Sequence, residues 1–318
     1  MKHGLTDVPG IRVGHAQDSE ALTGCTAILC EAGAVAGLSV GGSATGTEEL
    51  DLLNPLHLTP AIHGICLSGG SAFGLEAASG VRRWLEEKGV GFPTAHAKVP
   101  LVVGAILYDL GIGKSDVRPG REMGYAAAQA STTGPVAEGC VGAGTGATVG
   151  KLRGMTHSMK GGIGAWSARF GDVTVAALAA VNAWGDVVHP RTRTIIAGTR
   201  TTPDSREFAN SVERLKAGRP VAPVGGNTTL TVVATDARLT KVQATKLAQL
   251  AQHGVIASIA PVHTIYDGDL MFALSVGPQS ADFSGLGVVA AEVVAEAIVR
   301  AVRMSWTQGG VPGLAPAP

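Results

Sequence analysis

The apolar positions of this chain fall into short runs separated by glycine-rich breaks, and each run predicts an element. After an irregular lead-in over residues 4–16, residues 24–31 and 35–41 read as two strands paired through a turn at Glu31-Ala32-Gly33. Residues 48–53 suit a short helix that stops at Asn54-Pro55. Residues 62–68 form an apolar strand entering Gly69-Gly70-Ser71. A helix follows over 72–88, with Phe73, Leu75, Ala77, Val81, Trp84 and Leu85 on one broad face and Gly89 as its stop. A second apolar segment, 99–109, precedes an alanine-rich helix over 122–130.

Beyond a glycine-dense block over 139–164, residues 173–184 predict a strong strand ending in Asn182-Ala183-Trp184-Gly185-Asp186. Residues 201–218 read as an exposed, charged connection with a helical piece near 204–215. Then Gly225-Gly226-Asn227-Thr228-Thr229-Leu230 runs straight into a β-branched stretch, Thr231-Val232-Val233-Ala234-Thr235, which reads as a buried strand. Residues 240–257 form an amphipathic helix with Thr240 as N-cap and Val242, Leu247 and Leu250 on one side. A strand over 270–275 and a long alanine- and valine-rich helix over 287–304, apolar enough to be sandwiched, complete the pattern; residues 309–318 read as a disordered tail. Strand pairs with late helices, and no regular βαβ alternation, predict a single α+β domain over 1–318 with helices on the outer faces of two stacked sheets.

Composition narrows the functions. The 45 glycines are spread between apolar runs, which argues for tight turns and close backbone packing rather than disorder. Lys plus Arg equals Asp plus Glu at 25 each, with no basic stripe, so no nucleic-acid partner is expected. The four cysteines are too few for a disulfide framework; Cys25 and Cys30, five apart, would face opposite sides of a strand as core residues. The nine histidines include no i, i+4 pair, so neither a metal nor any other cofactor is expected. With no signal-length apolar stretch at the start and no run of eighteen apolar residues, the expectation is a cytoplasmic protein with no membrane partner.

Several glycine motifs fail on inspection. A phosphate loop ending at Gly150-Lys151 would need Gly at Thr145 and a hydroxyl residue at Leu152. Gly142-x-Gly144-x-x-Ala147 fits a dinucleotide fingerprint only loosely and lacks a strand before it. Ser43 and Ser71 lack the second glycine of a nucleophile elbow, since Thr45 and Phe73 stand there.

One constellation survives. If the Asn227–Thr228 bond were cut, Thr228 would carry both a hydroxyl nucleophile and an α-amine with a pKa of about 8, close enough to neutral to act as its base. No histidine is then needed. The Gly225-Gly226 pair would let the Thr228 hydroxyl reach the Asn227 carbonyl. Asp267-Gly268-Asp269 puts two carboxylates beside a strand end, where they would orient the threonine or hold its ammonium form; the same tripeptide also reads as a plain hairpin turn. Asn182, at the end of a strand, has an amide N–H₂ suited to an oxyanion and also suits an ordinary turn. Lys151 would supply positive charge, although a lone lysine is more often a solvated surface residue.

The order of these segments resembles the L-aminopeptidase/D-amidase-esterase family, which includes β-peptidyl aminopeptidases and nylon-oligomer hydrolases. Gly-Asn-Thr-Thr-Leu-x-Val-Val-Ala-Thr-Asp-Ala over 226–237 resembles that family's self-cleavage junction. Residues 64–78, 141–151, 159–164 and 180–183, with Asp267-Gly268-Asp269, are similar to further family segments, in order and spanning about residues 5–305. The resemblance implies a four-layer αββα sandwich like that of N-terminal nucleophile hydrolases but with its own strand connectivity. It also implies cleavage into chains 1–227 and 228–318, with Thr228 as nucleophile and Asn182 as oxyanion residue. The Asp267/Asp269 turn and Lys151 match the nylon-oligomer hydrolases more than the β-peptidyl aminopeptidases. The implied activity is hydrolysis of small peptides or amides, possible endo-cleavage of 6-aminohexanoate oligomers included, with acyl transfer of the ornithine acetyltransferase type as the alternative. The implied assembly is a homo-oligomer, a tetramer of processed αβ units. Some family members place a tyrosine after the glycine block; this chain has Thr148-Val149-Gly150-Lys151 there, so that role is not carried over.

Overall fold

Strand β2 (Thr23–Val40) is 18 residues long and organises everything around it. Its first half pairs antiparallel with β1 (Arg12–Asp18) and β4 (Ile62–Ser68); its second half pairs antiparallel with β9 (Leu270–Gln279). One strand therefore belongs to two stacked sheets. The other strands of this network, apart from shorter ones that pair separately, are β3 (Gly46–Glu48), β5 (Val102–Ile106), β6 (Gly162–Phe170), β7 (Val173–Asn182) and β8 (Thr228–Ala237). Their order is β6-β7-β8-β9-β2-β4-β5-β3, with β1 alongside β2. The pairs β8/β9 and β4/β5 are parallel; the rest are antiparallel. The helices are α1 (Ala77–Glu87), α2 (Arg121–Gln129), α3 (Ser211–Lys216), α4 (Lys241–Ser258) and α5 (Phe283–Arg303). This computed structural model describes residues 4–219 and 226–317.

Strand alternation sorts the apolar residues into layers. Ala176, Leu178 and Ala180 of β7, Leu230, Val232 and Ala234 of β8, and Leu270, Phe272 and Leu274 of β9 fill the space between the sheets, with Ile28, Leu67 and Val103 from the opposite side. The intervening Val175, Ala177, Ala179, Val181, Val233, Met271 and Ala273 face α4 and α5. On the far side, Cys25, Ala27, Leu29 and Cys66 pack on α1 and α2. The result is the expected α+β, αββα sandwich. Cys25 and Cys30 do lie in different packing layers, and all four cysteines are free and buried. Thr240 caps α4 through a capping box with Gln243, and Asp282 caps α5 by accepting from Gly285 N–H at 2.6 Å. Among the described residues, no helix is long and apolar enough to cross a membrane.

Several local expectations are corrected. The segment around Glu31–Gly33 does not reverse; the backbone stays extended and shifts register against β4 between Leu29 and Ala34, so two expected strands are one. The end of the expected irregular lead-in, from Arg12 on, belongs to β1. Residues 71–76 wind as a 3₁₀ turn before α1, leaving Phe73 exposed beneath the Arg118 guanidinium. Val242 is exposed on α4. The helical piece in the 201–218 connection is only the six residues of α3. The tail is not disordered through residue 317: Lys160 N–H donates to Pro312 O, Leu314 N–H donates to Ser305 O, and Val311 is buried.

Candidate active site

Three neighbouring strands deliver side chains to one point. Thr228 is the first residue of β8, and the antiparallel register of β7 places Asn182 directly opposite it. On its other side β8 runs parallel to β9, and a bridge between Asn227 and Asp267 extends that pairing beyond the strand. Because each strand is a buried, β-branched or alanine-rich run, this register is strongly specified; a slip of one residue would turn every apolar side chain out of its layer. Thr228, Asn182, Lys151, Asp267 and Asp269 all come together, and all are buried. Gly225, the first glycine of the junction, lies outside the described residues.

The Asn227 carbonyl is held from two sides. The Thr228 hydroxyl donates to its oxygen at 2.6 Å, and the Gly268 N–H donates to the same oxygen at 2.7 Å. Gly268 has to be glycine here, since a Cβ would stand 2.6 Å from Thr228 Oγ1 and 2.7 Å from Ala44 O. The turn that carries it is laced to residues 41–44: Gly41 and Gly42 N–H donate to Asp269 O, and Ala44 N–H donates to Asp267 O. Asp269 Oδ1 accepts from Thr229 N–H at 2.6 Å. Its Oδ2 accepts from the His263 backbone N–H at 3.2 Å and faces His263 Nδ1 at 3.0 Å. Asp267 Oδ2 accepts from Thr264 N–H and from the Thr264 hydroxyl.

Lys151 is buried rather than solvated. Its ammonium donates to Asn182 O at 3.0 Å and to Asn182 Oδ1 at 2.9 Å. Burial pulls its pKa down to about 7, against the opposing pull of Asp267, Asp269 and Asp109. Burial and the neighbouring Asp269 push the Asp267 carboxyl above its ordinary range. Asn182 Oδ1 also accepts from Thr148 N–H, and its amide N–H₂ donates to Tyr108 O at 2.9 Å. An amide nitrogen carries two hydrogens, so this bond leaves the second one. The turn at Gly142–Gly144 and the two-residue strand Thr148–Val149 lead into Lys151 without opening a helix, so the glycine block is not a phosphate loop. Its work is to bring Lys151 and Thr148 beneath Asn182.

Two side chains near this point were not singled out from the sequence. His263 is one. Tyr108 is the other, at the end of the 99–109 segment. Gly226 lies against its ring, where a Cβ would approach within 2.2 Å of Tyr108 Cβ. Tyr108, Asp109, Thr148, Lys151, Met155, Trp184 and Gly226 line a cavity of about 240 Å³. The signal for Tyr108 was its place at the end of an apolar run, the same place that marks Asn182.

Comparison with known proteins sets this geometry in a family. The sequence model described as peptidase family S58 matches residues 3–314. An uncharacterised aminopeptidase of Mycobacterium leprae is 36% identical, over 97% of this chain and 92% of its own length. A 6-aminohexanoate-oligomer endohydrolase of Agromyces is 30% identical, over 93% of this chain and 84% of its own. The solved L-aminopeptidase D-Ala-esterase/amidase of Ochrobactrum anthropi, described as a variant of the Ntn hydrolase fold, is similar in structure at a TM-score of 0.75. That likeness spans 98% of this chain and 88% of that one at 20% identity, and speaks to the fold. On the family match across nearly the whole chain and on these relatives, the chain belongs to peptidase family S58 and is an amide hydrolase.

Proposed function

We propose that the chain cuts its own Asn227–Thr228 bond, giving chains 1–227 and 228–318, and then hydrolyses small amides through an acyl-enzyme on the freed Thr228. The observation that carries this reading is the Asn227 carbonyl, whose oxygen takes hydrogen bonds from both the Thr228 hydroxyl and the Gly268 N–H. In the first step Thr228 Oγ1 bonds to the Asn227 carbonyl carbon while the Gly268 N–H steadies the developing oxyanion. The C–N bond then breaks, the proton passes to the new α-amine, and the chain is joined by an ester. Water hydrolyses that ester, leaving a carboxylate on Asn227 and a free amino-terminal Thr228.

In turnover the α-amine takes the hydroxyl proton as Oγ1 attacks the substrate carbonyl, and returns it to the leaving amine. Water then releases the acyl group. Asn182, with one amide hydrogen to spare, is the donor for the substrate oxyanion. Lys151 holds Asn182 in place and, with a pKa near 7, answers charge developing on the carbonyl. Asp267 and Asp269 orient the threonine. The junction also suggests the substrate's position: Asn227 sits where the acyl residue would sit, and Gly226 marks where its amino side would lead. The relatives named aminopeptidase and 6-aminohexanoate-oligomer endohydrolase support substrates with a free amine, that is, amino-terminal residues of short peptides or ω-amino-acid oligomers.

Intact-mass spectrometry of the purified protein tests the reading. Two fragments divided at Asn227–Thr228 are expected, with Thr228→Ala remaining one uncut and inactive chain. A single full-length mass in a preparation that hydrolyses amino-acid amides would overturn it.

A further inference from the structure

We infer that His263 is a positioning residue for the nucleophile, acting through Asp269. The inference rests on the proposed role of Thr228. His263 makes two contacts with one carboxylate oxygen: its backbone N–H donates to Asp269 Oδ2 at 3.2 Å, and its ring Nδ1 lies 3.0 Å from the same atom. The other oxygen, Oδ1, accepts from Thr229 N–H at 2.6 Å. Asp269 is therefore fixed at both ends, by a histidine on one side and by the backbone next to Thr228 on the other. A carboxylate gripped this way cannot swing without moving the start of β8.

Three further observations separate this contact from an ordinary loop bond. First, His263 has φ +53°, a left-handed backbone uncommon for a residue with a side chain. Residues kept in such conformations are held there by their surroundings and collect at functional sites. Second, the ring lies on the backbone of Gly41, where a Cβ would come within 2.5 Å of its Cε1 and Nδ1. The same Gly41 donates its N–H to the Asp269 carbonyl, so ring, glycine and aspartate form one unit. Third, Nε2 is buried and has no hydrogen-bond partner among the described residues. All the polar bonding of the ring is thus spent on Asp269. A carboxylate oxygen accepts, so Nδ1–H is the donor in this pair.

The test uses two residues that tolerate left-handed backbone. Asparagine offers a side-chain N–H near the place of Nδ1, and glycine offers none. His263→Gly is expected to lower kcat per free amino-terminal threonine by about ten- to a hundredfold, the usual scale for a small misplacement of reacting groups, with KM within twofold. Self-cleavage should slow in parallel. His263→Asn should recover most of both rates. A glycine variant as fast as the unaltered protein overturns the assignment. So does an asparagine variant as slow as the glycine one, or a loss of rate that only follows a lowered melting temperature. A chain with unaltered His263 that never cuts itself would instead remove the reading of Thr228.

Discussion

Two cavities in this molecule differ in size and in kind. The larger, about 930 Å³, is an open groove along α4 and α5, lined by Trp166, Phe283 and Val288 together with Lys246, His253 and Glu292. The smaller, about 240 Å³, lies beside Lys151 and Gly226. The charged groups of the groove stand on exposed helical surface, where solvent screens them. Beside the smaller cavity a lysine is buried and pulled to about 7, two aspartates are buried close enough to act on it, and the Thr228 hydroxyl and the Gly268 N–H converge on one carbonyl. The groove lies along the outer side of two packed helices. The small site arises where three strands end in register. On the proposed function, reactivity in this chain follows convergence and burial, not volume.

Gly268→Ala should give the largest effect of the changes that separate the two cavities. The added methyl would stand 2.6 Å from Thr228 Oγ1, so either the nucleophile or the turn must move. Self-cleavage followed by gel densitometry should slow by about a hundredfold. Cutting at the unaltered rate would mean that convergence on the Asn227 carbonyl is not what the small site depends on.

The same contrast explains which residues were legible in the sequence. Asn182 and Thr228 stand at the ends of apolar, β-branched or alanine-rich runs, and strand periodicity alone places such ends at the rim of a sheet. The layer architecture followed from the same runs. Lys151 was a candidate from its place after the glycine block, but its burial was not legible, because a lysine after glycines carries no sign of burial; its bond to Asn182 spans 31 residues. His263 had no signal at all. It reaches Asp269 from an irregular loop through a left-handed residue, and neither feature leaves a period in the sequence. Phe73 and Val242 show the converse. Helical spacing identifies an apolar stripe but cannot say where its edge meets solvent. The tail after residue 309 is held by contacts to Lys160 and Ser305 that composition does not encode.

Burial of charge can be read through stability. A lysine with a folded pKa of about 7 and an ordinary value of 10.5 is neutral in the fold but still protonated when unfolded across that interval. The unfolded state then binds more protons, so stability rises with pH. Lys160, buried and lowered to about 8, acts in the same direction over its upper part. Above about 9 the climb weakens, because the Cys30 thiol, raised by burial to about 12, stays protonated in the fold while the unfolded thiol ionises; the sign turns only above the ordinary lysine value of 10.5, where both lysines are neutral in either state. Urea midpoints should therefore climb between pH 7 and 9. Lys151→Met should flatten that climb without abolishing it, since Lys160 remains. An unchanged slope would mean that Lys151 is not a buried, displaced base.

The smallest effect belongs to the groove. Val288 is 62% exposed on α5 and lines the larger cavity, so Val288→Lys puts a charge there at no cost in core packing. Surface changes of this kind usually move stability by less than about 0.5 kcal/mol. If chemistry belongs to the small site, self-cleavage and amide hydrolysis should both stay within twofold, measured as kcat/KM on an amino-acid amide. A tenfold loss in kcat/KM with cutting intact would show that substrate passes through the groove after all. A loss of both rates would tie the groove to the three strand ends through α5, whose inner face packs on β6 and β7. Either result would break the separation between the two cavities at the point where it is easiest to test.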